Sequence, residues 1–171
     1  MKLREHWEIM RDEALNIKNF FPNVSRPKGP LDSHSYEKVL KMLQCKGWSM
    51  IEDTDNKWWN FPLVINGQSS DVAKELTPRT IKILENFEIL FCGFSLLLPR
   101  GIITPHQDSG LTVQKTYHLG LQCPKHSYLI HNGILYEEEN GKLLRFDATI
   151  EHSAVNMSDE PRIILYLLFK K

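Results

Sequence analysis

The chain has 171 residues, of which 42% are hydrophobic and 25% are charged. This length suits one domain with a buried core, so we predict a single domain over residues 1–171. The 21 basic and 21 acidic residues give a formal net charge of zero. Because the chain has no excess positive charge, neither nucleic acid nor an anionic membrane surface is an expected partner.

The N-terminus and the cysteines indicate the cellular compartment. The opening MKLREHWEIMRDE is charged, unlike a signal peptide, and no apolar run approaches the roughly 20 residues that a bilayer requires. Cys45, Cys92 and Cys123 are widely spaced and form no CxxC pair, which is typical of free thiols in a reducing compartment. We therefore expect a cytoplasmic protein of undefined oligomeric state.

Residues 1–87 are predicted to form a largely helical outer layer with loops. Apolar residues at spacings of three and four near the N-terminus predict one helix with a buried face: Leu3, Trp7, Met10, Ala14 and Ile17. A stretch rich in Pro, Gly and Ser over 22–35 predicts a surface loop, and a second helix follows over 36–45. A third helix is predicted from Thr77, with Pro78 in its first turn, to about Phe87.

From Glu88 onward, short apolar or alternating runs bounded by turn residues indicate β-strands. Asn132-Gly133 and Asn140-Gly141 each separate two such runs and accept positive φ, which predicts a meander of three strands. Roughly seven or eight strands in this half must close or stack to remove their edges. We predict a mainly β fold with flanking helices, a double-stranded β-helix (jelly roll, cupin-like) with its core in residues 88–171.

A metal-binding pattern lies in this predicted core, in Pro105-His106-Gln107-Asp108 and in Glu151-His152. Residues i and i+2 of a strand project to the same face, so His106 and Asp108 can share one ion, and His152 can complete the set from a later strand. Two imidazoles and one carboxylate leave coordination positions open, as in iron(II) oxygenases rather than closed zinc sites. A surface loop with satisfied polar groups is the alternative interpretation of the His-x-Asp pair alone.

Three more polar residues interrupt apolar strands. Arg162 begins the run RIILYLLF, where a buried guanidinium requires an anion, and its planar fork suits a carboxylate such as the distal one of 2-oxoglutarate. Ser95 and His118 lie inside FCGFSLLLP and KTYHLGLQC and need partners if they point inward. Arg162 as a surface charge, and Ser95 and His118 as satisfied core residues, are the alternatives.

At these residues the chain resembles the catalytic domain of the aspartyl/asparaginyl β-hydroxylase family. HWEIMRDEAL is similar to the family's opening helix, and GFSLLLPRGIITPH is similar to its serine strand and first iron histidine. YHLGLQCP, FDATIEHSAVN and PRIILYLLF resemble the next strand, the second iron histidine and the arginine strand. The resemblance covers nearly the whole chain.

The resemblance implies a dioxygenase that uses Fe(II), 2-oxoglutarate and O₂ to hydroxylate an aspartyl or asparaginyl group. It implies that His106 and His152 bind iron and that Ser95, His118 and Arg162 contact 2-oxoglutarate. Animal members have glycine where Asp108 stands, so we expect a complete His106, Asp108 and His152 triad here.

Animal members also carry arginines where this chain has residues 114–116, so the substrate is open. It is an amino-acid group in a peptide or protein or, alternatively, a free amino acid or small derivative. An alternative of another class is a cupin-like module that binds metal without catalysis.

Overall fold

A computed structural model of the protein describes residues 2–26, 40–51, 55–108 and 115–169. The helices are a 3-10 turn at Lys2–His6, α1 (Trp7–Asn16), α2 (Asp71–Leu76) and α3 (Pro78–Leu84), and residues 40–44 are also helical. The strands are β1 (Phe20–Arg26), β2 (Trp48–Ile51), β3 (Trp58–Ile65), β4 (Gln68–Ser69), β5 (Ile89–Leu97), β6 (Ile102–His106), β7 (Lys115–Gln122), β8 (Ser127–His131), β9 (Ile134–Glu137), β10 (Leu143–Asp147), β11 (His152–Asn156) and β12 (Arg162–Phe169).

The strands form two sheets that pack face to face. The larger sheet has the order β1-β2-β3-β5-β12-β7-β10, with β4 paired to β3, and the smaller has the order β6-β11-β8-β9. Leu97 of β5 packs against Ile103 of β6 and Ala154 of β11, so side chains of both sheets meet in the interior. This arrangement confirms the double-stranded β-helix expected from the sequence.

Alternation along β12 separates the core from the cavity between the sheets. Ile163, Leu165 and Leu167 are buried in the main hydrophobic core, together with residues of the helices. Because successive side chains of a strand point to opposite faces, Arg162 and Tyr166 point the other way, between the sheets. The same strand therefore contributes to the core on one face and lines the cavity on the other.

The helices cover the outer face of the larger sheet, as predicted. Met10 of α1 and Ile81 of α3 lie in one buried cluster with Leu119 of β7. The Glu13 carboxylate accepts backbone N–H bonds from Arg79 at 3.0 Å and Thr80 at 2.7 Å, so it caps the N-terminus of α3. Among the described residues, no helix has the length and hydropathy of a membrane span.

The prediction that residues 1–87 are largely helical is wrong, because β1, β2 and β3 extend the larger sheet. Part of the predicted loop over 22–35 lies in β1, which pairs in parallel with β2, and the remainder lies outside the described residues. Proline is unusual in a central strand, and the β3–β5 register shifts between Pro62 and Val64, so a bulge accommodates this proline.

Outcomes for the predicted helices are mixed. The first and third predicted helices are present, and the third ends at Leu84 rather than Phe87. The second is helical over 40–44, and its predicted start lies outside the described residues. Helix α2, capped by the Ser70 side chain, was not predicted.

Only one of the two predicted Asn-Gly hairpins is present. Asn132 and Gly133, with φ of 50° and 74°, join β8 to β9 as a hairpin. After β9 the chain crosses between the sheets, and β10 pairs with β7 of the larger sheet. The three-stranded meander is therefore wrong, because the turn at Gly141 joins strands of different sheets.

Candidate metal centre

The two histidines of the predicted triad face each other across neighbouring strands. His106 ends β6, His152 begins β11, and the two residues are directly opposite in the antiparallel register. Their ring centroids are 4.3 Å apart. The strand pairing therefore brings together two imidazoles that are far apart in the sequence.

Asp108 joins this pair from the segment after β6. Its backbone N–H donates to the Ala148 carbonyl at 2.9 Å, and its Oδ1 lies 4.0 Å from His106 Nε2. One potential ligand atom from each of His106, Asp108 and His152 lies within 4.8 Å of the others. The structure thus brings together the three residues that the sequence singled out.

Hydrogen bonds fix the tautomer of both imidazoles. Nδ1 of His106 lies 2.7 Å from the Thr104 carbonyl, and Nδ1 of His152 lies 3.0 Å from the Ile150 carbonyl. A carbonyl only accepts, so each Nδ1 donates its proton and each Nε2 keeps a free lone pair. Burial lowers the pKa of His152 more than its hydrogen bond to Ile150 raises it, which favours the neutral ring that binds metal.

Tyr166 supports this group and was not identified from the sequence. Its hydroxyl donates to Asp108 Oδ2 at 3.1 Å, which leaves Oδ1 on the side of His106. Tyr166 lies four residues after Arg162 on β12, hence on the same face of the strand. Alternation counted from Arg162 would have found it.

A second polar cluster lies in the same cavity and contains two of the other predicted residues. Arg162 donates from Nε to Glu138 Oε2 and from NH2 to Glu138 Oε1, both at 2.6 Å. His118 Nδ1 donates to the same Oε1 at 2.8 Å. Arg162 is 1% exposed and Glu138 2% exposed, so this is a buried bidentate ion pair.

The positive charge of Arg162 and the negative charge of Glu138 balance within this cluster. Burial raises the pKa of Glu138, but the Arg162 charge and the His118 hydrogen bond outweigh that and lower the pKa to about 2. Burial lowers the pKa of His118 despite the neighbouring carboxylate. The group therefore consists of a cation, an anion and a neutral imidazole whose Nε2 has no hydrogen-bond partner among the described residues.

Glu138 is the anion that the sequence argument required for Arg162. It was missed because it stands in the run Glu137-Glu138-Glu139, which resembles a solvated charged turn. Arg162 NH1 is buried and has no hydrogen-bond partner among the described residues. Binding of an external carboxylate by Arg162 stays a prediction, and NH1 is the nitrogen that has no partner among the described residues.

Phe146 lies between the two clusters. Its ring centroid is 4.9 Å from that of His118 and 5.3 Å from that of His152. Ser95 accepts a hydrogen bond from Trp58 Nε1 at 3.0 Å, and the Trp58 ring lies 6.1 Å from that of His106. The predicted residues thus lie together between the two sheets.

Comparison with known proteins identifies the family. The sequence model of the aspartyl/asparaginyl β-hydroxylases matches residues 4–171. The chain belongs to this family. Membership confirms the resemblance seen in the sequence, and it makes the His106, Asp108 and His152 group the candidate metal centre of a β-hydroxylase domain.

Two further proteins match most of this chain in sequence. The chain is 30% identical over 129 residues to uncharacterized protein L888 of Acanthamoeba polyphaga mimivirus, covering 72% of this chain and 45% of that protein. It is 30% identical over 123 residues to the ornithine lipid ester-linked acyl 2-hydroxylase of Rhizobium tropici, covering 69% and 43%. The chain therefore spans less than half the length of these relatives.

A Burkholderia pseudomallei oxidoreductase of the 2OG-Fe(II) oxygenase family has the same fold, with a TM-score of 0.52 at 11% identity. The alignment covers 82% of this chain and 79% of that one. Two histidines with free Nε2 atoms and one carboxylate are a donor set that suits Fe(II). The orphaned NH1 of Arg162 fits one oxygen of a carboxylate.

Proposed function

We propose that this protein is an Fe(II)- and 2-oxoglutarate-dependent hydroxylase of an aspartyl or asparaginyl residue or a related amino-acid substrate. The observation that carries the proposal is the convergence of His106, Asp108 and His152 within 4.8 Å in a β-hydroxylase domain. When bound, iron with its cosubstrate supplies the oxidation of a C–H bond by O₂, with release of succinate and CO₂.

In this reaction the protein would hold the metal and orient the side chains that bind it. Nε2 of His106, Nε2 of His152 and a carboxylate oxygen of Asp108 would hold the metal. The Thr104 and Ile150 carbonyls orient the two imidazoles, and Tyr166 orients the carboxylate. Such outer contacts determine how well a metal is held.

The cosubstrate contacts would come from the larger sheet. Ser95 Oγ, His118 Nε2 and Arg162 NH1 offer a hydroxyl, a neutral ring nitrogen and a guanidinium nitrogen to an acidic ligand. NH1 is the most informative of these atoms, because a buried unpaired guanidinium nitrogen costs free energy until a ligand accepts from it. Trp58 would shield the metal side of the cavity from water.

Two experiments test the proposal. Calorimetric titration of 2-oxoglutarate into the Mn(II)-loaded protein is expected to show metal-dependent binding, abolished by His106→Ala and retained in His126→Ala, an exposed histidine outside the site. Incubation of the Fe(II)-loaded protein with 2-oxoglutarate and O₂ tests turnover. The panel contains aspartyl and asparaginyl peptides, free amino acids and, in view of the Rhizobium relative's name, an acyl lipid.

Succinate released in step with a hydroxylated product would support the proposal and identify the substrate class. Turnover on a free amino acid alone would favour the small-substrate alternative. Metal binding with neither 2-oxoglutarate binding nor succinate release would instead identify a non-catalytic cupin-like module.

A further inference from the structure

The carboxylate of Glu138 occupies the side of Arg162 that is best suited to bind an anion. A guanidinium binds a carboxylate most strongly through two parallel N–H bonds, and Arg162 makes that pair with Glu138 through Nε and NH2. Of the three guanidinium nitrogens, only the buried NH1 has no hydrogen-bond partner among the described residues. The bidentate geometry with which Arg162 binds a carboxylate most strongly is therefore occupied by Glu138.

The charge of Arg162 is also neutralised. Glu138 is ionised, because its pKa is about 2, and His118, whose pKa is lowered by burial, contributes no positive charge at neutral pH. A second carboxylate beside this cluster would gain a hydrogen bond from NH1 but would be repelled by Glu138 at short range. The cavity thus offers a dicarboxylic acid much less attraction than an uncompensated arginine would.

Glu138 is fixed by its backbone and by its side chain. Its N–H donates to the Ser127 carbonyl at 2.9 Å. The next residue lies so close to β7 that a Cβ on Gly120 would be 2.0 Å from the Glu139 carbonyl oxygen. The Glu138 side chain accepts from both Arg162 and His118, so moving it aside would break three buried hydrogen bonds.

We propose that Glu138 is a specificity-determining residue of the cosubstrate site. By sharing Arg162 with the bound 2-oxo acid, it weakens discrimination between a 2-oxo dicarboxylate and a 2-oxo monocarboxylate of the same chain length. This inference rests on the proposed function, because it assumes that a 2-oxo acid binds beside the metal. It concerns the far end of that acid, where the two ligands differ.

The test measures binding rather than turnover. Dissociation constants of 2-oxoglutarate and of 2-oxopentanoate, which has a methyl group in place of the distal carboxylate, are measured by calorimetry on the full Mn(II)-loaded chain. The quantity compared is the ratio of the two constants in wild type, in Glu138→Gln and in Glu139→Gln. Glu139 is the matched control, because its side chain is 59% exposed and pairs with Lys142 on the surface.

In wild type, 2-oxoglutarate is expected to bind less than about tenfold more tightly than 2-oxopentanoate, since one shared nitrogen replaces a bidentate charged pair. Glu138→Gln removes the competing charge with little change in volume, so the ratio is expected to rise at least about tenfold. Glu139→Gln is expected to leave the ratio at the wild-type value.

A ratio that Glu138→Gln leaves within about threefold of wild type would overturn the inference while the proposed function stands. If Glu138→Gln does not fold, the wild-type ratio decides, and a preference for 2-oxoglutarate above about a hundredfold overturns the inference. If wild type binds neither acid in the presence of metal, both the inference and the proposed function are wrong.

Discussion

The two polar clusters of the cavity differ in how completely their own side chains satisfy each other. In the first cluster, formed by His106, Asp108 and His152, the side chains of His106 and Asp108 are 19% and 32% exposed, and one potential ligand atom from each of the three residues lies within 4.8 Å of the others. The Arg162 and Glu138 side chains are each 1% exposed and satisfy most of each other's hydrogen bonds. The first cluster could accept an ion from outside the chain, whereas the second already contains its counterion.

The largest expected effect comes from breaking the buried pair. Arg162→Met is expected to lower the free energy of unfolding by about 3–5 kcal/mol, because it leaves the Glu138 carboxylate buried without its counterion. The double variant Arg162→Met with Glu138→Met is expected to recover most of that loss, since neither charge remains. Urea unfolding followed by circular dichroism measures both.

The exposed pair of Arg100 and Asp159, 2.8 Å apart, provides the control. Arg100→Met is expected to cost less than about 1 kcal/mol, because water screens this pair. An Arg162→Met protein as stable as the Arg100→Met control would show that the buried charges are not coupled.

The next largest effect is expected on metal binding by the group of His106, Asp108 and His152. His106→Ala and His152→Ala are each expected to weaken Mn(II) binding at least about a hundredfold, more than is usual for the loss of an outer contact. Neither change removes a buried charge pair, so stability without metal is expected to change less than in Arg162→Met. Calorimetry measures the affinity and urea unfolding the stability. Wild-type affinity in either variant would show that the substituted histidine is not a metal ligand.

A smaller effect is expected from removing the hydrogen bond that Tyr166 donates to Asp108. Tyr166→Phe is expected to weaken Mn(II) binding about tenfold, because the phenol orients the Asp108 carboxylate. In an Asp108→Ala background the same change is expected to have no further effect, since nothing remains to be oriented. Equal effects in both backgrounds would place the action of Tyr166 elsewhere, and an Asp108→Ala protein with wild-type affinity would exclude the aspartate as a ligand.

The last prediction concerns the pH dependence of stability. The pKa of Glu138 is lowered from 4.5 to about 2 in the folded state, so its contribution is complete above the unfolded value and is lost as the pH falls toward 2. The stability difference between wild type and Glu138→Gln is therefore expected to shrink between about pH 5 and pH 2. Parallel wild-type and Glu138→Gln profiles would contradict the ion pair.

The fold of residues 88–171 and the convergence of His106, Asp108 and His152 could be predicted because their signals are local. Alternating strands, turn residues and the His-x-Asp spacing are visible within short windows. The prediction failed where tertiary pairing decides the outcome. β3 contains a proline that a bulge accommodates, and Asn140-Gly141 resembles a hairpin turn although its strands belong to different sheets.

The role of Glu138 in the site likewise depends on tertiary structure and could not be read from the local sequence. The chain crosses from one sheet to the other at this residue, so its side chain points inward while Glu137 and Glu139 stay exposed. No local pattern distinguishes the three glutamates. The need of a buried Arg162 for an anion was deduced correctly, but the sequence could not show whether the anion comes from the chain or from a ligand.

The measurement that tests the central claim most directly is X-ray absorption on the Fe(II)-loaded protein prepared without oxygen. The account predicts scattering from two imidazoles per iron in wild type and from one in His106→Ala. A wild-type spectrum without imidazole scattering, or one that His106→Ala leaves unchanged, would contradict a metal centre built from His106, Asp108 and His152.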